Sequence, residues 1–118
     1  MGRDHRKLRA FELADELAQL TYRETDKYPE HEFDGIVQQL RKAAVAVPTN
    51  IIDGCSRSSR REYLHCLRVA FSALREVGYL FELSRKLEFI DEEKFEELNA
   101  AYDEAAKLLA GLIRSLKD

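Results

Sequence analysis

Between residues 8 and 25 the apolar positions Leu8, Phe11, Ala14, Leu17, Ala18 and Thr21 recur at three- and four-residue intervals, which places them on one face of an α-helix. The polar stretch DKYPEHEFD, with Pro29 inside it, then reads as a loop. A second helical pattern starts near Asp34, an expected N-cap, and continues through Ile36, Val37, Leu40, Ala43, Ala44 and Val47. It is expected to end at Gly54, placed as a C′ glycine. Pro48 lies inside it, where a proline removes a hydrogen bond and its ring clashes with the preceding turn, at about 3 kcal/mol. The second helix is therefore expected to kink or restart at Pro48, with carbonyls freed near Ala43 and Ala44 and taken up by Asn50 or an arginine.

The third helix has the clearest start in the chain. Ser59 and Glu62 stand three apart, the spacing of a capping box. The pattern runs on to about Leu87, with Gly78 as an internal weak point. Asp91 is expected to cap a fourth helix whose first turn holds Glu92 and Glu93. Its broad apolar stripe passes through Leu98, Ala101, Tyr102, Ala105, Leu108, Leu109, Leu112, Ile113 and Leu116. No strand-like alternation competes, so the fold expected over residues 1–118 is a single all-α domain, an antiparallel up-down four-helix bundle.

A turn of 100° per residue sorts the third helix into three stripes. Leu64, Leu67, Phe71, Leu74, Gly78 and Phe81 form a core stripe. Cys66, Val69, Ala73, Leu80, Leu83 and Leu87 form a second, centred roughly 150° away. One bundle core needs one stripe, so the second is expected to be an oligomer interface with other copies of the chain. The alternative is a broad core wrapping both flanks. The third stripe carries Arg61, Arg68 and Arg75 at seven-residue intervals, with His65, Ser72, Tyr79 and Lys86 on the same side.

Charge sharpens this picture. The net charge of −3 conceals segregation: residues 54–75 hold five arginines against Glu62, a net +4, while residues 88–104 hold eight carboxylates against Lys94, a net −7. Planar guanidinium groups suit nucleic-acid phosphates and carboxylates equally well. The carboxylate reading is favoured for the ladder, with Glu92, Glu96 and Asp103 of the fourth helix, in the same chain or from a neighbouring subunit, as partners. As a binding surface, the candidates are Arg57, Arg60, Arg61, Arg68 and Arg75, with Arg41 and Lys42 as contributors.

Little else points to chemistry. No apolar run reaches the ~20 residues that span a bilayer. The start MGRDHR has neither a signal-peptide core nor the Ser or Thr of a myristoylation site, so a cytoplasmic protein is expected. Glu62 and His65 have the Glu-x-x-His spacing of di-iron bundles but occur once, without the other helices' ligands, so neither metal nor cofactor is expected. Cys66 and His65 point about 100° apart and form no dyad. Cys55, placed near arginines, reads as an exposed thiol with at most a lowered pKa. The five glycines are scattered and build no phosphate cradle, so no enzyme is expected.

The segment LRKAAVAVPTNIIDGCSRSSRREYLHCLRVAFSAL resembles the signature of the S23-like family, four-helix proteins encoded by intervening sequences in bacterial 23S ribosomal RNA genes, whose pattern is R-x-A-x-S-I-P-x-N-I-A-E-G followed by Ser/Arg and an aromatic. Arg41, Ala43, Ala44, Pro48, Asn50, Ile51 and Gly54 match it, and Ser59, Glu62, Tyr63 and Leu67 continue the match. The first helix and LLAGLIRSLK are similar to the family's flanks, so the resemblance covers almost the whole chain. Phe11 stands where many members carry tryptophan, Ile52-Asp53 replaces Ala-Glu, and Gly78-Tyr79 interrupts a commonly polar stretch. The resemblance implies a ring-like homopentamer. A related branch, the accessory proteins of diversity-generating retroelements, shares the barrel form and binds a reverse transcriptase and nucleic acid. The expectation is a non-enzymatic self-assembling bundle with an RNA- or DNA-backbone surface. The alternative is an adaptor that docks a protein such as a reverse transcriptase.

Overall fold

The apolar spacing of residues 8–25 becomes helix α1, Arg9–Thr25, preceded by a single 3₁₀ turn over His5–Lys7. The computed structural model describes residues 3–117, so Met1 and Gly2, weighed above for lipidation, lie outside the described residues. Helix α2 spans Gln38–Cys55, α3 spans Arg60–Lys86 and α4 spans Glu92–Leu116; among the described residues there is no strand. Each helix packs on two others: α1 on α2 and α4, and α3 on α2 and α4. The result is an up-down arrangement 45 Å long and 24 by 20 Å across. No helix among the described residues is long and apolar enough to cross a membrane.

The two ends are fixed by polar contacts. At one, Arg3 N–H donates to the Cys55 carbonyl (2.8 Å) and Arg60 Nε donates to the Leu116 carbonyl (2.8 Å). At the other, Lys94 reaches the nearly buried Glu24 (3.5 Å), and Arg85 reaches Glu92 (3.3 Å). Arg41 also belongs to this second end. Its guanidinium donates to Asp26 Oδ1 (2.8 Å), Thr25 Oγ1 (2.9 Å) and the Tyr22 carbonyl (3.2 Å), closing the exposed carbonyl end of α1.

Helix starts follow the expected chemistry at α3 and α4. Ser59 Oγ accepts from the Glu62 N–H (3.0 Å), and Asp91 Oδ1 accepts from the Lys94 N–H (2.8 Å). The Glu62 carboxylate accepts from the Ser59 hydroxyl (3.2 Å), which ties the two side chains of the box to each other. The start of α2 differs from expectation. Asp34 lies exposed in a wide π-type turn, Phe33–Val37, in which Gly35 leaves helical geometry (φ −111°, ψ −109°). With no Cβ, Gly35 tolerates that backbone, and the regular ladder begins only at Gln38.

Two glycines play roles other than those expected. Gly54 does not terminate α2: it lies within the helix, which ends at Cys55 with Ser56 in right-handed geometry. A Cβ on Gly54 would stand 2.9 Å from Cys66 Cβ and 3.1 Å from Tyr63 Cδ1, so the residue exists for the close approach of α2 and α3. Gly78 is likewise no simple weak point, because a Cβ there would lie 2.7 Å from the Tyr102 ring of α4. Among the described residues the left-handed C′ residue is Glu88 (φ 64°), after α3, where Phe89 N–H reaches back to the Ser84 carbonyl (2.9 Å) in a Schellman pattern.

Helix α2 runs through Pro48 without a break, so the expected restart is absent. Pro48 has no N–H for the Ala44 carbonyl. The side chains of the next turn bond elsewhere than expected: Asn50 Nδ2 donates to the Ala46 carbonyl (2.7 Å) and Thr49 Oγ1 to the Val45 carbonyl (2.9 Å). Around Pro48 the core holds Leu40, Val47 and Ile51, each at most 1% exposed.

The buried face of α3 is centred on residues outside both predicted stripes. Tyr63, Ala70, Val77 and Ser84 are fully buried, and lie between Leu67, Leu74 and Phe81 on one side and Cys66 and Leu80 on the other. The two stripes are thus flanks of one broad core face, because α3 packs against α2 on one flank and α4 on the other. Cys66 (6% exposed) and Leu80 (2%) are satisfied within their own chain, Ala73 and Leu83 are partly buried against the core, and Val69 (40%) and Leu87 (52%) remain exposed.

Candidate functional site

The predicted basic residues fall into two groups. Arg41 is consumed by the α1 terminus and stacks over Tyr22 at 4.6 Å, far along the chain's fold from the start of α3, and Lys42 is its exposed neighbour. Arg57 is paired with Asp53 (3.0 Å), one turn before it, rather than with α4, and Asp53 also receives the Cys66 thiol (3.7 Å). Arg60 caps the carbonyl end of α4.

Arg61, Arg68 and Arg75 behave differently. All three are exposed, and among the described residues none makes an ion pair. The expected carboxylate partners on α4 are not used this way: Glu92 takes Arg85 instead. The register explains why. Since α4 runs antiparallel to α3, its acidic first turns pack beside the end of α3, and its basic last turns beside the start. The Arg61–Arg75 stretch therefore faces Arg114 and Lys117, two cations the sequence reading passed over. The signal was present in the sequence as a basic last turn, but it required the antiparallel register to be read.

These cations line three neighbouring depressions. The first, about 750 Å³, is bounded by Arg57, Ser59, Arg61, Glu62, His65 and Cys66. The second, about 540 Å³, contains Arg60, Arg61, Leu64, Arg68, Leu116 and Lys117. In the third, about 420 Å³, Arg68, Arg75, Arg114 and Lys117 surround Phe71 and Ile113. The second and third share Arg68 and Lys117 and together form a trough along the α3/α4 seam, whereas the first meets the second at Arg61 and is lined by α3 and the turn before it. The trough has a polar, cationic rim and an apolar floor.

The whole molecule is polarised along its long axis. The half built from residues 3–16, 46–72 and 106–117 holds eleven Lys and Arg against six Asp and Glu, a net +5. The half built from residues 17–45 and 73–105 holds eight against fifteen, a net −7. An anion thus meets an attractive end and a repulsive one.

The cysteines sit outside any reactive arrangement. Cys55 is 2% exposed, and burial pushes its thiol up, opposite to the lowering expected from nearby arginines. The adjacent Tyr63 hydroxyl is pushed up to about 12, by burial first and by Cys55 second. Glu62 is engaged by Ser59, His65 is exposed, and among the described residues no three His, Cys, Asp or Glu side chains converge as metal ligands.

No curated protein sequence matches the chain. Its fold is similar to the crystal structure of a protein of unknown function from the S23 ribosomal protein family of Bacteroides thetaiotaomicron VPI-5482, with a TM-score of 0.82 at 23% identity over 89% of this chain and 95% of that one. The profile of the family described as 23S rRNA-intervening sequence protein matches residues 6–111. From its opening turn to the last turns of α4, the chain belongs to the 23S rRNA-intervening sequence protein family.

Proposed function

We propose that this protein is a non-enzymatic, self-assembling helical scaffold of the cytoplasm, a ring-like homopentamer, whose basic end binds the backbone of RNA or DNA. The observation that carries the reading is the row of exposed cations without carboxylate partners, Arg61, Arg68 and Arg75, backed by Arg114 and Lys117 across the seam. Guanidinium groups placed this way suit phosphate oxygens, and such contacts position a nucleic acid without reading its sequence. Arg61, Arg68, Arg114 and Lys117 lie in the half with a net +5, which steers a polyanion to it even though the whole chain is acidic, and Arg75 stands just across its boundary.

Self-assembly is supported by exposed apolar side chains on α2 and α3. Val45 and Ile52 are 38% and 39% exposed and lie seven residues apart on one face of α2. Val69 of α3 is 40% exposed, and the Asp53–Cys66 and Gln39–Glu76 contacts set it at a level along the bundle between those two residues.

The test is the light-scattering mass of the purified protein, alone and with short RNA and DNA at about 50 and about 200 mM salt. A pentamer whose mass rises with nucleic acid at the lower salt only, and no longer does so after Arg68→Glu, is the expected result, because displaced counterions make phosphate binding steeply salt-dependent. A pentamer indifferent to nucleic acid sinks the reading and points to a protein partner such as a reverse transcriptase.

A further inference from the structure

We infer that the α3/α4 trough is a single-strand site: it takes unpaired RNA or DNA in preference to a duplex. The inference deepens the nucleic-acid reading above and rests on it. Its basis is the shape of the cationic surface rather than its charge alone.

The cations stand on both walls of one seam. Arg61, Arg68 and Arg75 rise from α3, spanning about 21 Å at 1.5 Å per residue, while Arg114 and Lys117 rise from α4. Packed helices lie about 8–10 Å apart, so the seam between these walls is narrower than a nucleic-acid duplex. A duplex lies across the rims and touches only the tips of the side chains. A single strand fits lengthwise, and its phosphates meet both walls.

The floor adds the second argument. Phe71 and Ile113 lie half-buried between Arg68, Arg75 and Arg114, and Leu64 and Leu116 lie between Arg61 and Lys117. Apolar and aromatic surface inside a cationic groove is matched by the exposed face of an unpaired base and not by a stacked duplex, whose base faces are covered. The repeating order of cation and apolar side chain along the seam corresponds to the alternation of phosphate and base along a strand. Arg75 stands just inside the acidic half of the molecule, which bounds the track at that end.

The experiment is fluorescence anisotropy of the full-length assembled protein with labelled oligo-dT, oligo-rU and a mixed-sequence duplex of equal length, at about 50 mM salt. The expected result is that at least one single strand binds roughly ten-fold or more tightly than the duplex, the worth of a single stacked base. The difference between the two single strands then tells which sugar is preferred. Arg114→Glu, an exposed change on the α4 wall, is expected to weaken single-strand binding by roughly ten-fold, since it replaces an attraction with a repulsion. Phe71→Leu, which keeps the floor filled, is expected to weaken single strands several-fold and leave the duplex unchanged. Duplex binding equal to or tighter than single-strand binding, or indifference to Arg114→Glu, overturns the single-strand site while leaving the backbone reading standing. Binding of none of the three overturns both.

Discussion

Tyr63 shows how one side chain links helix packing to titration. It is 2% exposed, with the Arg3 guanidinium 4.0 Å from its ring centroid and Cys55 beside its hydroxyl. Its hydroxyl is pushed from an ordinary value of 10.0 up to about 12, mainly by burial. Between those values the folded protein keeps a proton that the unfolded chain loses, so stability falls as pH rises through that interval. Chemical denaturation across that alkaline range is expected to show the decline, and Tyr63→Phe to flatten it; an unchanged slope in the variant would refute the assignment to Tyr63. Residue-level signals of this kind were only partly legible. Ser59, Glu62 and Asp91 could be read directly, because a cap depends on residues within one turn of it. Gly54 and Gly78 could not, since the atoms that exclude a Cβ belong to Cys66, Tyr63 and Tyr102 on neighbouring helices.

At the scale of elements, α3 was the most instructive. Its length and boundaries were readable from periodicity, whereas its buried face was misplaced. Tyr63, Ala70, Val77 and Ser84 mark the centre of the face, yet two of them are small or polar, so the larger side chains on either flank looked like two separate stripes. A helix with neighbours on both sides buries a wider arc than a single seam requires. The α2–α3 contact depends on Gly54 for its closeness. Gly54→Ala gains about 1 kcal/mol of helix propensity but forces a Cβ to within 2.9 Å of Cys66 Cβ, an atom fixed by the α3 backbone. The net effect expected is a loss of about 1–3 kcal/mol, seen as a lower denaturation midpoint with an unchanged slope. A variant as stable as the parent would mean that α2 and α3 separate freely.

On the scale of the whole molecule, antiparallel packing turns a modest sequence asymmetry into an electrical axis, +5 in one half and −7 in the other. It also leaves Val45 and Ile52 exposed on one face of α2, and Val69 exposed on α3. Ile52→Asp places a charge on the exposed apolar face of α2, the proposed self-contact, without disturbing the core. The expected outcome is dissociation to a monomer of 13.7 kDa by light scattering, with helical content unchanged. An assembly that keeps its mass would put the self-contact on another face.

The amino-acid sequence by itself determined the number of helices, their approximate bounds, two of their caps and the family, because helical periodicity, capping and a contiguous motif are all local in the chain. Tertiary structure alone decided which arginines are spent and which are left over. Arg41 and Arg57 find carboxylates at Asp26 and Asp53, whereas the register of α4 against α3 sets Arg114 and Lys117, rather than Glu92 or Asp103, beside Arg61 and Arg68. A side chain's partner across a bundle depends on the direction and register of the facing helix, and neither is written in the spacing of its own residues.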